Sequence, residues 1–250
     1  MKVAGSVVLV TGAGRGIGRY LAEQFDAAEA RVIVLEKDAA LCEDLRLSSA
    51  GRIQAWQCDL SDDDAIADAL QAIAAAGLEI DVLINNAGII HSEPLVKLLS
   101  RTERLHSRQQ WQQVIRTNLD AVFFVTSRVV DQMLAKRHKG VVISISSIAA
   151  NGNPGQSAYA AAKAGVNALT HTWAKELGAM GLRFAAIAPG FIDTPSTRAA
   201  LSEALLSKLQ QQIPLRRLGD MQSIFQSARH IVENDYLTGT ILEIDGGLVL

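Results

Sequence analysis

The sequence predicts an α/β fold of the doubly wound kind, a mainly parallel seven-stranded sheet with helices on both faces. Three observations predict it. Short aliphatic or β-branched runs alternate with longer, proline-poor stretches of helical composition from Val7 to Ile244. A glycine-rich turn, Thr11-Gly12-Ala13-Gly14-Arg15-Gly16-Ile17-Gly18, closes the first such run and opens the first helical stretch. No repeat, low-complexity tract or linker breaks the alternation, so residues 1–250 read as one domain.

Composition narrows the function classes. Hydrophobic residues make up 49% of the chain and charged residues 20%, which suits a soluble protein with a substantial core. A formal net charge of -2 gives no electrostatic basis for nucleic acid or an anionic membrane as main partner. Cys42 and Cys58 form no disulfide framework, which points to a reducing, cytoplasmic setting. The N-terminal run leads into a glycine turn and reads as a strand, not a signal peptide. No window supplies the ~20 apolar residues of a membrane span. The histidines at 91, 106, 138, 171 and 230 share no metal-ligand spacing, so no metal site is expected.

Val7 to Val10 is the first strand, and the glycine turn after it is a phosphate cradle. Glycine lets backbone approach a pyrophosphate, and the helix start offers free N–H groups. The spacing is G-x-x-x-G-x-G through Gly12, Gly16 and Gly18, with Arg15 and Ile17 between them. Arg31 to Leu35 is the second strand, ending at Glu36. A carboxylate about 20 residues past the glycine turn grips ribose hydroxyls in a Rossmann-type dinucleotide fold. Glu36 therefore favours NAD; Lys37 and Arg15, either able to pair with a 2′-phosphate, keep NADP as the alternative. Ile53 to Cys58 is the third strand, with Asp59 and Leu60 at its carboxyl end and Asp59 facing adenine. Ser61 to Asp64 reads as a capping box for a helix through Ala76. Ile80 to Ile84 is the fourth strand, followed by Asn85-Asn86-Ala87-Gly88, small and amide residues that suit a cofactor crevice.

Between Ile89 and Gln110, Lys97, Arg101, Arg104 and Arg108 recur at helical spacing, a basic stripe that is either a solvated face or a site for a phosphorylated substrate or carrier. Trp111 to Lys136 reads as one long helix with Asn118 in its apolar half, where a buried amide either braces backbone near the site or holds a water. Val141 to Ile145 is the fifth strand, Phe184 to Ala188 the sixth and Ile241 to Ile244 the seventh. Residues 195–218 read as one or two helices over the crevice, a lid.

The stretch from Ala158 to Leu177 is rich in Ala, Leu and Lys and lacks proline, so it reads as a helix. Tyr159 and Lys163, four apart, then share one face. A phenol titrates near pH ~10, and an adjacent ammonium lowers that value. A hydroxyl from Ser147, at the end of the fifth strand, would hold a substrate oxygen against the phenol. That is a proton-transfer site for an alcohol or a carbonyl.

TGAGRGIG, Asn85-Asn86-Ala87-Gly88, Asn118, Ser147, Tyr159-x-x-x-Lys163 and Pro189-Gly190, in that order over nearly the whole chain, resemble the short-chain dehydrogenase/reductase family. The resemblance implies NAD(P)-dependent hydride transfer between a nicotinamide and a secondary alcohol or ketone. It makes Tyr159 the general acid/base, with Lys163 lowering its pKa and binding the nicotinamide ribose. Ser147 would polarise the carbonyl and Asn118 would hold a relay water. Gly12, Gly16 and Gly18 would line the pyrophosphate, with Asn86 along the adenosine; Ile192 and Thr194 would face the carboxamide. Arg15, Ile17, Leu60 and Gly88 complete the expected cofactor contacts. The family's usual serine-to-tyrosine spacing selects Ser146, whereas strand register selects Ser147. The loop before Asn118 is longer than in compact members, and Glu29 replaces a common turn glycine. Similarity is greatest to the 3-oxoacyl carrier-protein reductases, which implies NADPH and a carrier-bound substrate, against the reading of Glu36. A homo-oligomer, tetramer or dimer, is also implied. A non-catalytic dinucleotide sensor on the same fold is the rival of another class.

Overall fold

The computed structural model describes residues 1–200 and 202–248; residue 201 of the expected lid, and residues 249 and 250 of the expected domain span, lie outside the described residues. Seven strands form one sheet: β1 Val7–Thr11, β2 Arg31–Glu36, β3 Gln54–Gln57, β4 Val82–Asn85, β5 Gly140–Ile145, β6 Leu182–Pro189 and β7 Thr240–Ile244. Their spatial order is β3-β2-β1-β4-β5-β6-β7, and every pairing is parallel.

Side chains alternate across the sheet because a strand has a period of two. On one face Val8 and Val10 of β1, with Val32 and Val34 of β2, pack against Leu21, Phe25, Leu45 and Ile224. These come from α1 Gly16–Ala27, α2 Ala39–Ser48 and α9 Met221–Glu233. The Phe25 and Phe225 rings meet edge-on at 5.2 Å and join α1 to α9. On the other face Val7, Leu9, Ile33 and Leu35 pack against Ile66, Leu70, Ile73, Val125 and Val129. Those belong to α3 Asp63–Ala75 and α5 Ala121–Ala135, with α6 Ser157–Leu177 beside them. A sheet covered on both sides needs continuous apolar strands. The burial of every residue of β1, β4 and β5 matches the runs that announced them.

Three expectations are corrected. The helix read as continuous from Trp111 to Lys136 is α4 Arg108–Ile115, a π-helical turn Arg116–Asp120 and then α5. Asn118 causes the break: its Nδ2 donates to the carbonyls of Val114 and Ile89, and its Oδ1 accepts from the Ile89 N–H. The stripe Lys97, Arg101, Arg104 and Arg108 does not share a helix face. Residues 91–107 form an irregular excursion, with one antiparallel bridge between Val96 and Leu105. Asp62, not Ser61, caps α3, accepting from the N–H groups of Asp64 and Ala65.

The expected lid segment holds two helices, α7 Pro195–Ala200 and α8 Glu203–Gln212. Glu29 sits at φ 64°, the left-handed turn position its family counterpart glycine would take. No helix among the described residues is long and apolar enough to cross a membrane.

Candidate active site

β1 pairs with β2 on one side and β4 on the other, so the winding direction reverses there and a crevice opens at the strands' carboxyl ends. It is a cleft of about 790 Å³. Its floor is the glycine turn; its walls include Glu36, Asp59, Leu60, Asn86, Gly88, Ile89, Ile90 and the polar face of α4. Ser146, Tyr159, Lys163 and Thr194 close the far end.

The glycine turn is shaped by close approach. Gly12 has φ 63°, and a Cβ there would lie 2.7 Å from Ala87 Cα; a Cβ on Gly18 would lie 2.3 Å from Asn86 Nδ2 and 2.5 Å from the Gly12 oxygen. Asn86 Nδ2 in turn donates to the carbonyls of Thr11 and Gly12, and Thr11 Oγ1 accepts from the N–H groups of Asn86 and Ala87. Asn86 therefore braces the cradle from beneath.

Helix ends mark where a ligand is wanted. Asp38, Asp62, Ser107, Ser202 and Asp220 cap α2, α3, α4, α8 and α9 with a side-chain acceptor. The starts of α1, at Arg15, and α6, at Gln156, have no such cap. The uncapped N–H groups and positive end of α1 border the cleft. Space above Gly16, where a Cβ would meet nothing within 4 Å, is open. These residues fit the phosphates of a dinucleotide.

At the β2 end, Glu36 Oε2 accepts from Gly14 N–H at 2.8 Å and Oε1 from Asp38 N–H at 3.2 Å. Gly14 is needed for this: a Cβ on it would sit 2.8 Å from Glu36 Oε2. Lys37 pairs with Asp59 at 2.7 Å. The Lys37 hydrogen bond, aided by Ser61, holds the Asp59 carboxyl down at about 2. Asp59, expected to face adenine, is thus committed to Lys37 while still bordering the cleft. Arg15 is exposed and carries no ion pair among the described residues.

At the far end, Tyr159 and Lys163 stand on one face of α6, with Lys163 Nζ 5.7 Å from the phenol ring centre. Lys163 is buried and donates to the Ile145 carbonyl at 2.6 Å. Burial pulls its ammonium down to about 8. Burial also pushes the Tyr159 phenol up, while a hydrogen bond from the Ser147 hydroxyl opposes that rise. Desolvation is the largest influence on the phenol, and Lys163, expected to lower it, is not among the groups that shift it. Of the two serines, Ser146 is buried with its hydroxyl donating to the Lys163 carbonyl at 3.3 Å. Ser147 is the serine beside the phenol whose hydroxyl favours its charged form; that hydroxyl also accepts from the Ala149 N–H at 3.1 Å, and it is Ser146 that lines the cleft. The Asn118 amide accepts once and donates twice to backbone, so the side chain braces the π turn. A Cβ on Gly88 would lie 2.6 Å from Asn118 Oδ1, so glycine admits that packing.

Thr194 borders the cleft, but the Ile192 side chain does not; it packs into the core beside Gly219. Sequence reasoning missed Thr11, Gly14 and the polar face Gln109, Gln112, Gln113 and Arg116, all but Thr11 and Gly14 direct cleft residues. The i, i+3, i+4, i+7 spacing of that face was the available signal.

A profile of the family described as short chain dehydrogenase matches residues 6–204. The chain is 36% identical to the 3-oxoacyl-[acyl-carrier-protein] reductase of Thermotoga maritima over 255 residues, covering 100% of both. It is equally 36% identical to that of Escherichia coli, again over 100% of both. A crystal structure of a putative gluconate dehydrogenase from Agrobacterium tumefaciens superposes with TM-score 0.89 at 27% identity, over 98% of this chain and 96% of that one. A short chain dehydrogenase from Bacillus anthracis gives 0.85 at 32%, over 97% and 95%. Sequence match and architecture agree along the whole molecule, and the chain belongs to the short chain dehydrogenase family of oxidoreductases.

Proposed function

We propose that this protein reduces a ketone to a secondary alcohol, or the reverse, with a nicotinamide dinucleotide bound in the cleft, NAD in preference to NADP. The observation that carries the reading is the meeting of Tyr159 and Lys163, with Ser147 beside the phenol, at one end of a cleft whose other end is an uncapped glycine-turn helix. The dinucleotide supplies or takes the hydride. Everything else falls to the chain's own side chains.

Tyr159, kept neutral by burial, holds the proton that a reduced carbonyl oxygen needs. Ser147 orients that oxygen against the phenol. Lys163 keeps a positive charge beside the phenol up to about pH 8, which favours the phenolate left after proton donation. Gly12, Gly16 and Gly18 with Ile17 and Arg15 receive the pyrophosphate; Leu60, Asp59 and Asn86 border the adenosine, and Thr194 and Gly88, which lies close to Lys163, the nicotinamide end. Glu36 supports NAD because its carboxylate lies at the ribose end, and Lys37 is already neutralised by Asp59. A second reading, reduction of a 3-oxoacyl group carried on a protein with NADPH, draws support from the names of the two relatives and from the unpaired Arg15. Half-exposed Phe123 and Phe124 on α5 support a homo-oligomer built on that face.

Paired fluorescence titration with NADH and NADPH tests the cofactor. Turnover of acetoacetyl-coenzyme A, a small 3-oxoacyl thioester, and of a panel of simple ketones tests the reaction. Tighter NADPH binding overturns the reading of Glu36, and undiminished turnover by Tyr159→Phe overturns the mechanism.

A further inference from the structure

We propose that Glu93 is a positioning residue that clamps the substrate side of the cleft to the start of the Tyr159 helix; its kinetic readout, though not its structural one, rests on the function proposed above. The Glu93 side chain is buried at 8% exposure inside an otherwise irregular excursion. Its carboxylate accepts from Lys97 Nζ at 2.6 Å and from the Ser107 N–H at 2.9 Å. His91 Nε2 lies 3.4 Å from the same carboxylate. His106 Nδ1 lies 3.2 Å from the Glu93 carbonyl, which can only accept, so His106 carries its proton on Nδ1. Its Nε2 is then buried without a partner. The Lys97 hydrogen bond, then that of Ser107, holds the carboxyl down at about 2, so the clamp is charged at any working pH.

What the clamp joins gives it a role. Ile89 and Ile90, just before Glu93, line the cleft; Gln109, Gln112 and Gln113, just after Ser107, line it from α4. Ser107 is the cap of α4, so the carboxylate fixes that helix's start relative to the other stem. The main chain carries the tie across the cleft. Glu93 N–H donates to the Gly155 carbonyl at 2.6 Å, and Gln156 Nε2 donates to Ser92 Oγ at 3.2 Å. Gly155 and Gln156 lead directly into α6 and Tyr159. The carboxylate therefore joins the two stems to each other, and the N–H of the same residue ties them to the start of the phenol's helix, while neither touches a reacting group.

Glu93→Gln preserves the shape but removes the charge and leaves Lys97 unpaired. Hydrogen–deuterium exchange on the whole chain should quicken in 95–107 and also in 152–158, across the tie. With acetoacetyl-coenzyme A as probe, KM should rise about tenfold while kcat and the dinucleotide Kd stay within about threefold. Glu93→Asp should recover part of that loss. Faster exchange confined to 95–107, or an unmoved KM, overturns the proposal. If Glu93→Gln does not fold, Lys97→Met removes one arm only and should show the same exchange pattern to a smaller degree. If the wild type does not turn the probe over, the substrate reading fails and the exchange pattern still decides the clamp.

Discussion

The two ends of the cleft are built on opposite principles. At the nucleotide end, apart from Arg15 and the uncapped start of α1, the polar side chains are satisfied by near neighbours: Glu36 by Gly14 and Asp38, Asn86 by Thr11 and Gly12, Lys37 by Asp59. That end adds to the stability of the fold it belongs to. At the Tyr159 end a phenol and an ammonium are held away from water, and burial works against the charged form of each. That end costs stability and gains chemistry, because a cation beside a proton donor acts more strongly in a desolvated site than in water.

Substitutions can break or sharpen this contrast. Tyr159→Phe should lower kcat about 10³-fold, the scale of a lost general acid, with dinucleotide titrations unmoved. Lys163→Met should cost about 10²-fold in rate and yet raise Tm by several degrees, since it removes a buried charge. A fall in Tm would show that the bond to the Ile145 carbonyl outweighs desolvation. Gly18→Ala should do the reverse. Its Cβ would stand 2.3 Å from Asn86 Nδ2, so dinucleotide Kd should weaken about tenfold and Tm should drop, both measurable without a substrate.

Acidity gives a subtler test. Lys163 is pulled from 10.5 to about 8, so between about pH 8 and 10 the unfolded chain binds more protons than the folded one. Unfolding free energy should therefore rise with pH across that window, while the reduction rate falls as the ammonium is lost. A rate that stayed flat to pH 9.5 would remove Lys163 from the reaction. The smallest effect belongs to Lys37→Ala. Both partners of its pair with Asp59 are well exposed, so stability should change by under about 1 kcal/mol, measured by denaturant unfolding.

Most of the nucleotide end was legible because it depends on short stretches. A strand, a glycine turn, a helix and an acid some 20 residues on are local in sequence, and the structure assembles them as read. Tyr159 and Lys163 were legible for the same reason, being one helical turn apart. The rest depends on long-range contact. The helix carrying Asn118 was read as unbroken, yet the bonds of Asn118 to Ile89, 29 residues away, accompany a π turn. Ile192 was assigned to the cleft, but packing turns it into the core. The basic residues of 97–108 suggested a helix by spacing alone, whereas Glu93, four residues from Lys97 and fourteen from Ser107, folds the segment round itself.

Periodicity and turn chemistry alone determined the order of elements, the parallel sheet and the identity of the phenol–ammonium pair, because each is set by side-chain repeat and backbone permission within a few residues. Only the tertiary structure decided that the phenol and the ammonium are both desolvated, that the Ser146 hydroxyl turns to the Lys163 carbonyl, and that a buried carboxylate joins the two stems of the cleft's second wall. Those outcomes turn on desolvation and on which distant groups compete for the same hydrogen bond, and neither exists until the chain has closed on itself.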